Sequence, residues 1–496
     1  MPILPLGRAF TEVAGRDRDR PAVTVGEITV TRAELESLSN RMARAFAAHG
    51  VIQGDYVTIG LPNSPEFFAA TLAAWKIGAV PQPVSPRLPH REREAIIELA
   101  GSPLVLGAQP GEHPGRVCLP VGWMPDETTD DSPLPDAIAP TWKAPTSGGS
   151  TGRPKLIIAG DPGVIDTDAD PGMGVQPNGV MLVPGPMYHN APFSYSTRGL
   201  VYGNHVITMQ RFDAEATLEA VQHHRPDWML LVPTMMLRIS RVEGHADHDM
   251  SSLRAVWHMA SPCPPWLKEA WIEWIGGEKI FELYAGTEAQ SVTVIRGDEW
   301  MTRRGSVGKP IYGEMKVVDA DGNDAAAGEV GEIYMRAPAG RVTYQYVGAS
   351  AKRTDDGWES LGDMGWIDSD GYVFLTDRLG DMILSGGANI YPAEVEAAID
   401  EHPQVLSCAV MGLADEDLGN RIHAIVQPVP GVAVSDDELR SHLADRLVRY
   451  KIPRTFEFVT EPLRDDAGKL RRSQLRADRT VSGDGGEVES VRGAAS

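Results

Sequence analysis

The ten residues Thr146, Ser147, Gly148, Gly149, Ser150, Thr151, Gly152, Arg153, Pro154 and Lys155 gather hydroxyls and glycines directly before a lysine. Glycines let backbone N–H groups close on phosphate oxygens, hydroxyls add donors without a buried charge, and the lysine supplies a mobile point charge. Such a stretch is able to cradle a polyphosphate. Composition alone also describes a flexible Gly/Ser linker. The Walker-type template does not apply, because Gly152 is followed by Arg153 rather than by Lys and then Ser or Thr.

A second set, Tyr284, Ala285, Gly286, Thr287 and Glu288, follows the apolar run 279–283. That places it on a loop at a strand end, where open α/β sheets bind ligands. Tyr284 offers an aromatic face to a base, and Glu288 a hard oxygen to a hard cation. Further along come Asp363 between Gly362 and Met364, Arg378, the pair Gly386 and Gly387 before Pro392, and Lys469 after Asp465, Asp466, Ala467 and Gly468. His189 lies in the aromatic stretch Pro186, Met187, Tyr188, His189, Asn190, Ala191, Pro192, Phe193. Taken singly, each has an ordinary structural reading as a turn residue, a solvated charge or a core histidine.

In this order the motifs resemble the signatures of the adenylate-forming superfamily, which holds acyl-CoA synthetases, peptide-synthetase adenylation domains and beetle luciferases. The resemblance runs from about Thr146 to Lys469. It implies that residues 146–152 and Lys155 grip the phosphates of ATP, that Tyr284, Ala285 and Gly286 border the adenine, and that Thr287 binds phosphate. It further implies that Glu288 helps to hold Mg²⁺, that Asp363 takes both ribose hydroxyls, and that Arg378 stands beyond it near the domain junction. Gly386 and Gly387 would line the pantetheine tunnel of CoA, Lys469 would bridge the carboxylate and the α-phosphate, and His189 would gate the carboxylate. Two positions depart from the family pattern: Ala285 replaces the common Gly, and Gly380 occupies the hinge where Asp or Lys is common. Glycine absorbs large φ/ψ changes, so rotation at Gly380 is permitted.

The implied enzyme is an AMP-forming acid–CoA ligase with ATP, Mg²⁺ and CoA. Family register places Tyr195, Thr234, Met235, Met236, Trp257 and His258 around the acid. Phe193 is followed by Ser194, Tyr195 and Ser196 rather than by the aspartate that pairs an α-amino group, which disfavours an amino-acid substrate. Aromatic and methionine walls suit a bulky, apolar, even polycyclic acid, and the motif texture is most similar to bacterial bile-acid-CoA-ligase-type enzymes. Two other readings stay open: a ligase that hands its acyl-AMP to another protein or carrier, and a nucleotide-binding subunit without catalysis.

The elements around these residues read as α/β. Thr31 and Glu34 form a capping box before Leu35, Leu38 and Met42 on one helix face. Short apolar runs at 56–61, 180–183, 205–209 and 228–232 alternate with helical stretches, one carrying Phe67, Phe68, Leu72 and Trp75 inward. After Arg378 the texture changes: Pro392 opens a helix with Val395 and Ile399 inward, strands follow at 405–411 and 422–426, and Ser435 with Glu438 caps another helix. The expected fold is a large multi-subdomain N-terminal α/β domain over 1–379, binding ATP and acid, and a small mobile C-terminal α+β domain over 380–479. The Gly-, Ser- and Glu-rich stretch 480–496 reads as a disordered tail.

The 496 residues exceed what one core supports. A formal charge of −22 opposes capture of nucleic acid or an anionic membrane surface. Cys118, Cys263 and Cys408 form neither a disulfide framework nor a zinc pattern. With no signal-peptide or spanning-helix pattern, a cytoplasmic enzyme is expected, with a homodimer left open.

Overall fold

The computed structural model describes residues 3–148, 154–378, 380–385, 388–415, 417–465 and 468–480. The chain divides into two compact units: the first holds 1–361, 365–375 and 466–468, the second 362–364, 376–465 and 469–496.

The first unit is built on a mixed sheet. Strands His205–Thr208, Val180–Leu182, Trp228–Leu231, Ala255–His258 and Ile280–Tyr284 run parallel in that order, and Val292–Arg296 and Ser306–Tyr312 continue the sheet antiparallel. Strand alternation sorts their side chains onto two faces. Met181, Val206, Trp228, Leu230 and Trp257 share one core with helices Leu6–Arg16, Arg32–Ala48, Pro65–Lys76 and Asn190–Val201. Leu182, Ile207, Met229, Leu231 and Val256 share the other with Ala214–His224, Pro233–Ser240 and Pro265–Ile275. Both faces are covered, so the parallel strands are almost continuously apolar.

Local signals set the helix starts. The Thr31 hydroxyl accepts the Glu34 N–H at 3.2 Å, while the Glu34 carboxylate accepts the Thr31 N–H at 2.7 Å. Two orphan donors are thereby satisfied at once. Ser64 caps Pro65–Lys76, whose Phe67, Phe68, Leu72 and Trp75 are all buried, each contributing roughly 1.5–3 kcal/mol.

In the second unit, Val405–Asp415 and Gly419–Pro428 pair antiparallel, and Thr455–Phe458 joins parallel to the latter. Pro392 sits in the first turn of helix Pro392–Asp400, and the Ser435 hydroxyl accepts from the Glu438 N–H at 3.2 Å. Val395, Ile399, Cys408, Val410, Leu439 and Leu443 form its core. Residues 481–496 lie outside the described residues, and Thr480 ends helix Arg472–Thr480. Among the described residues, no helix is long and apolar enough to cross a membrane.

Candidate active site

The phosphate-loop residues begin and end in a hairpin. Strand Thr146–Gly148 pairs with Pro154–Ala159 in a register that sets Ser147 opposite Lys155. Gly149, Ser150, Thr151 and Gly152 lie outside the described residues. A third strand, Tyr344–Val347, pairs with the other edge of Pro154–Ala159 and sets Tyr346 opposite Ile157. Leu156 packs into a cluster with Val84, Ile96 and Ala100. Alternation therefore sends Lys155 to the opposite face, the one that carries Tyr346.

There Lys155 Nζ stands 4.0 Å from the centre of the Tyr346 ring and 3.4 Å from Glu288 Oε1. The Tyr346 hydroxyl donates to the same Glu288 oxygen. Burial and that bond push the Tyr346 phenol well above its usual range, so it remains a donor. Tyr346 was missed in the sequence, although Tyr344-Gln345-Tyr346-Val347 alternates as a strand should. Tyr344 lies against Tyr346, with ring centres 4.7 Å apart, and donates to Glu359 at 2.6 Å; Gln290 and Arg353 donate to Glu359 as well. This second cluster braces the strand that presents Tyr346.

Glu288 is buried at the end of the motif that follows strand Ile280–Tyr284, with Thr287 half-buried beside it. Tyr284 closes the strand opposite Thr293. A Cβ on Gly286 would meet Leu361 Cδ1 at 2.3 Å and Glu288 Oε2 at 2.8 Å, so any larger residue there would displace the ends of those two side chains. Ala285 is absent from the residues with positive φ, and its methyl costs no backbone strain. The donor set suits Mg²⁺: one hard carboxylate beside a phosphate loop matches an ion that arrives with substrate phosphates, and among the described residues no group of three His, Cys, Asp or Glu forms a cage.

The six predicted acid-pocket residues do not share one wall. Tyr195 and Trp257 belong with the first core, where Tyr195 packs on Trp228 at 5.4 Å and Trp257 stacks on Phe281 at 4.7 Å. Both indole N–H groups donate to the Met173 carbonyl at 2.9 Å. Burial pushes the Tyr195 phenol up to about 12. Met235 and Met236 belong to the opposite core, and His258, next to Trp257 on the strand, points there as well. Thr234 lies in the first turn of that core's helix Pro233–Ser240. Of these six, Trp257 and His258 are neighbours on one strand, and the pleat turns them to opposite faces. His258 is fully buried beside the ion pair Lys268–Glu282 (2.6 Å), and among the described residues neither of its ring nitrogens has a hydrogen-bond partner. Burial lowers its pKa to about 4.

His189 is the N-cap of helix Asn190–Val201, its ring 4.5 Å from that of Tyr188. A residue unnoticed in the sequence, Lys143, reaches this helix. It is buried, and its Nζ lies 4.1 Å from the Trp142 ring centre, donates to Ser194 Oγ at 2.7 Å and also donates to Asn190 Oδ1. A cavity of about 340 Å³ lies at the other end of the helix, lined by Glu12, Arg16, Asp17, Arg20, Arg32 and Tyr202 among others, and holds none of the predicted site residues.

The remaining predicted residues belong to the second unit. Asp363 lies within strand Glu359–Ile367 and Arg378 ends strand Val373–Arg378. Gly380 is exposed, outside the left-handed region, with nothing within 4 Å of a built Cβ. Gly386 and Gly387 lie outside the described residues, between the paired strands Ile383–Ser385 and Ala388–Ile390. Lys469 is held in a turn: its N–H donates to Asp465 Oδ1 at 2.9 Å and its carbonyl accepts the Asp465 N–H at 3.0 Å.

The hairpin thus brings Lys155 against the buried Glu288, which follows the last parallel strand of the main sheet, so two of the residues expected to meet a nucleotide stand together. Comparison with known proteins agrees. The AMP-binding enzyme family matches residues 10–346 and the AMP-binding enzyme C-terminal domain matches 394–469, so the chain belongs to the AMP-binding enzyme family. It is 32% identical to a feruloyl-CoA synthase of Amycolatopsis, covering 92% of this chain and 95% of that one. It is 30% identical to a 2-succinylbenzoate–CoA ligase of Bacillus licheniformis, covering 92% and 96%. The o-succinylbenzoate CoA synthetase of Bacillus subtilis, solved with ATP and magnesium, superposes with a TM-score of 0.81 at 28% identity over 96% of this chain and all of that one.

Proposed function

We propose that this chain activates a bulky, apolar, ring-bearing carboxylic acid, polycyclic acids included, and transfers the acyl group to CoA. The general activity is that of an AMP-forming acid–CoA ligase using ATP, Mg²⁺ and CoA. The observation that supports the substrate class is the aromatic cluster on one face of the sheet, where Tyr195 packs on Trp228 at 5.4 Å and Trp257 stacks on Phe281 at 4.7 Å, surroundings in which a ring-bearing acid would pack better than a charged one.

The acid's carboxylate oxygen attacks the α-phosphorus of ATP, the bond to the β-phosphate breaks, and pyrophosphate leaves. CoA thiolate then attacks the acyl carbonyl and AMP leaves. Neither step needs a protein nucleophile; positioning and charge supply the acceleration. Lys155 and the hydroxyls of the phosphate loop hold phosphate oxygens, Glu288 holds Mg²⁺, and Thr287, Tyr284, Ala285 and Gly286 border the nucleotide. Asp363 and Arg378 take the ribose side. Lys469 serves the first half-reaction and Gly386 with Gly387 the second, exchanged by rotation at Gly380. His189 gates the carboxylate.

The test is AMP release from a panel of acids, with and without CoA. Ring-bearing acids should give CoA-dependent AMP release well above straight-chain acids and amino acids. A preference for straight chains overturns the substrate class, and pyrophosphate release without any CoA ester overturns CoA as acceptor. Lys469→Ala should abolish adenylation yet keep thioester formation from supplied acyl-AMP; equal loss of both overturns the exchange.

A further inference from the structure

Lys143 is an expensive residue to place where it is. Its ammonium is withdrawn from water among the Trp142 ring, Asn190 and Ser194, and among the described residues no carboxylate pairs with it. The charge that acts on it is another cation, Arg198, exposed on the helix that carries Asn190 and Ser194. Burial first, and Arg198 second, lower its pKa to about 7. A methionine would fill such a site without the desolvation cost.

The two chain segments that Lys143 joins are the segments that carry chemistry. Three residues after it, Thr146 opens the strand leading into the phosphate loop. Its carbonyl accepts the Ala159 N–H at 3.1 Å, so its backbone is tied to the strand that carries Lys155. At the far end of its side chain, Asn190 is the first residue of the helix capped by His189, and Ser194 lies one turn on. Ser194 Oγ in turn donates to Asn190 Oδ1 at 3.3 Å, closing a triangle of polar atoms. Asn190 and Ser194, four residues apart, share the helix face that meets Lys143.

We propose that Lys143 is a positioning residue for adenylation, fixing the first turn of helix Asn190–Val201, and with it His189, against the strand that feeds the phosphate loop. This rests on the reading of His189 as a gate for the carboxylate. Below about pH 7 the bonds to Asn190 and Ser194 are charge-assisted; above it the neutral amine keeps its N–H donors but the bonds weaken.

The test is pyrophosphate exchange with a good acid substrate, from pH 6 to 8.5, in the wild type, Lys143→Met, Lys143→Arg, His189→Ala and the double variant Lys143→Met/His189→Ala. Thermal melts confirm that each variant is folded. Lys143→Met should lower kcat about tenfold with KM for ATP unchanged, and the double variant should be no slower than His189→Ala, as for two residues acting through one group. The advantage of wild type over Lys143→Met should shrink as pH rises through about 7, whereas that of Lys143→Arg, permanently charged, should stay level. A slow His189→Ala with Lys143→Met at the wild-type rate, or with multiplicative losses in the double variant, overturns the role of Lys143 alone. His189→Ala at the wild-type rate overturns the gating reading and the coupling with it.

Discussion

Lys155 and Glu288, 133 residues apart in sequence, are ion-paired at 3.4 Å, with the Tyr346 ring beneath the ammonium and the Tyr346 hydroxyl on the carboxylate. The two charges thus neutralise each other, and in the proposed function each would be needed elsewhere: the lysine by phosphate oxygens, the carboxylate by the metal ion. Glu288→Gln should therefore lower adenylation about a hundredfold, the scale seen when one electrostatic contact to a developing charge is removed. Tyr346→Phe, which removes only the donor to Glu288, should cost about tenfold and change the Mg²⁺ concentration needed for half-maximal rate. Pyrophosphate exchange at varied Mg²⁺ measures both, and an unchanged Mg²⁺ response in both variants would count against the pairing.

Trp257 and His258 are adjacent yet face opposite cores, so their substitutions should separate cleanly. Trp257→Ala should shift the preferred acid, seen as changed kcat/KM ratios across a panel of ring sizes. His258→Ala should leave those ratios within about twofold while removing buried volume, so its effect belongs in the melting temperature.

Lys268 and Glu282 are a buried pair, their side chains 1% and 9% exposed. Lys268→Met alone strands a carboxylate in the core beneath the sheet and should destabilise the first unit by about 3–5 kcal/mol. Lys268→Met with Glu282→Leu should recover most of that loss. Chemical denaturation of the two variants decides it, and a single variant as stable as wild type would refute the cost.

Burial would raise the Glu359 carboxyl, but hydrogen bonds from Tyr344, Gln290 and Arg353 hold it below its ordinary value of 4.5. A depressed folded pKa contributes stability above the unfolded pKa and loses it as pH falls through the folded one. Tyr344→Phe should bring acid destabilisation to a higher pH than in wild type, with about 1–2 kcal/mol lost at neutrality. Melts between pH 3 and 7 give the shift, and superimposable acid limbs would contradict it.

Local chemistry made much of the scaffold legible. The Thr31–Glu34 box, the Ser435 cap and Pro392 at a helix start are short-range devices whose geometry follows from a few neighbouring residues. The α/β class followed from the same rhythm of short apolar runs and helices. What escaped was long-range. Tyr346 gains its meaning only when its strand lies beside Pro154–Ala159, and Lys143 only when a helix 47 residues later turns Asn190 toward it. Trp257 and His258, adjacent in the expected pocket, part for a different reason: a strand alternates its faces, leaving His258 with the ion pair and Trp257 with Phe281.

The crowding at Gly286 has an evolutionary reading. A side chain there would strike Leu361 and the Glu288 carboxylate together, whereas its neighbour Ala285 already carries a methyl without strain, and Gly380 faces open space. In a pooled library under selection for growth on the ligated acid, position 286 should admit fewer residues than position 285, and position 380 should drift. Tolerance at position 286 then reports how far Leu361 and the Glu288 carboxylate can yield to a neighbour, whereas tolerance at position 380 reports only what the chain there must do when it turns.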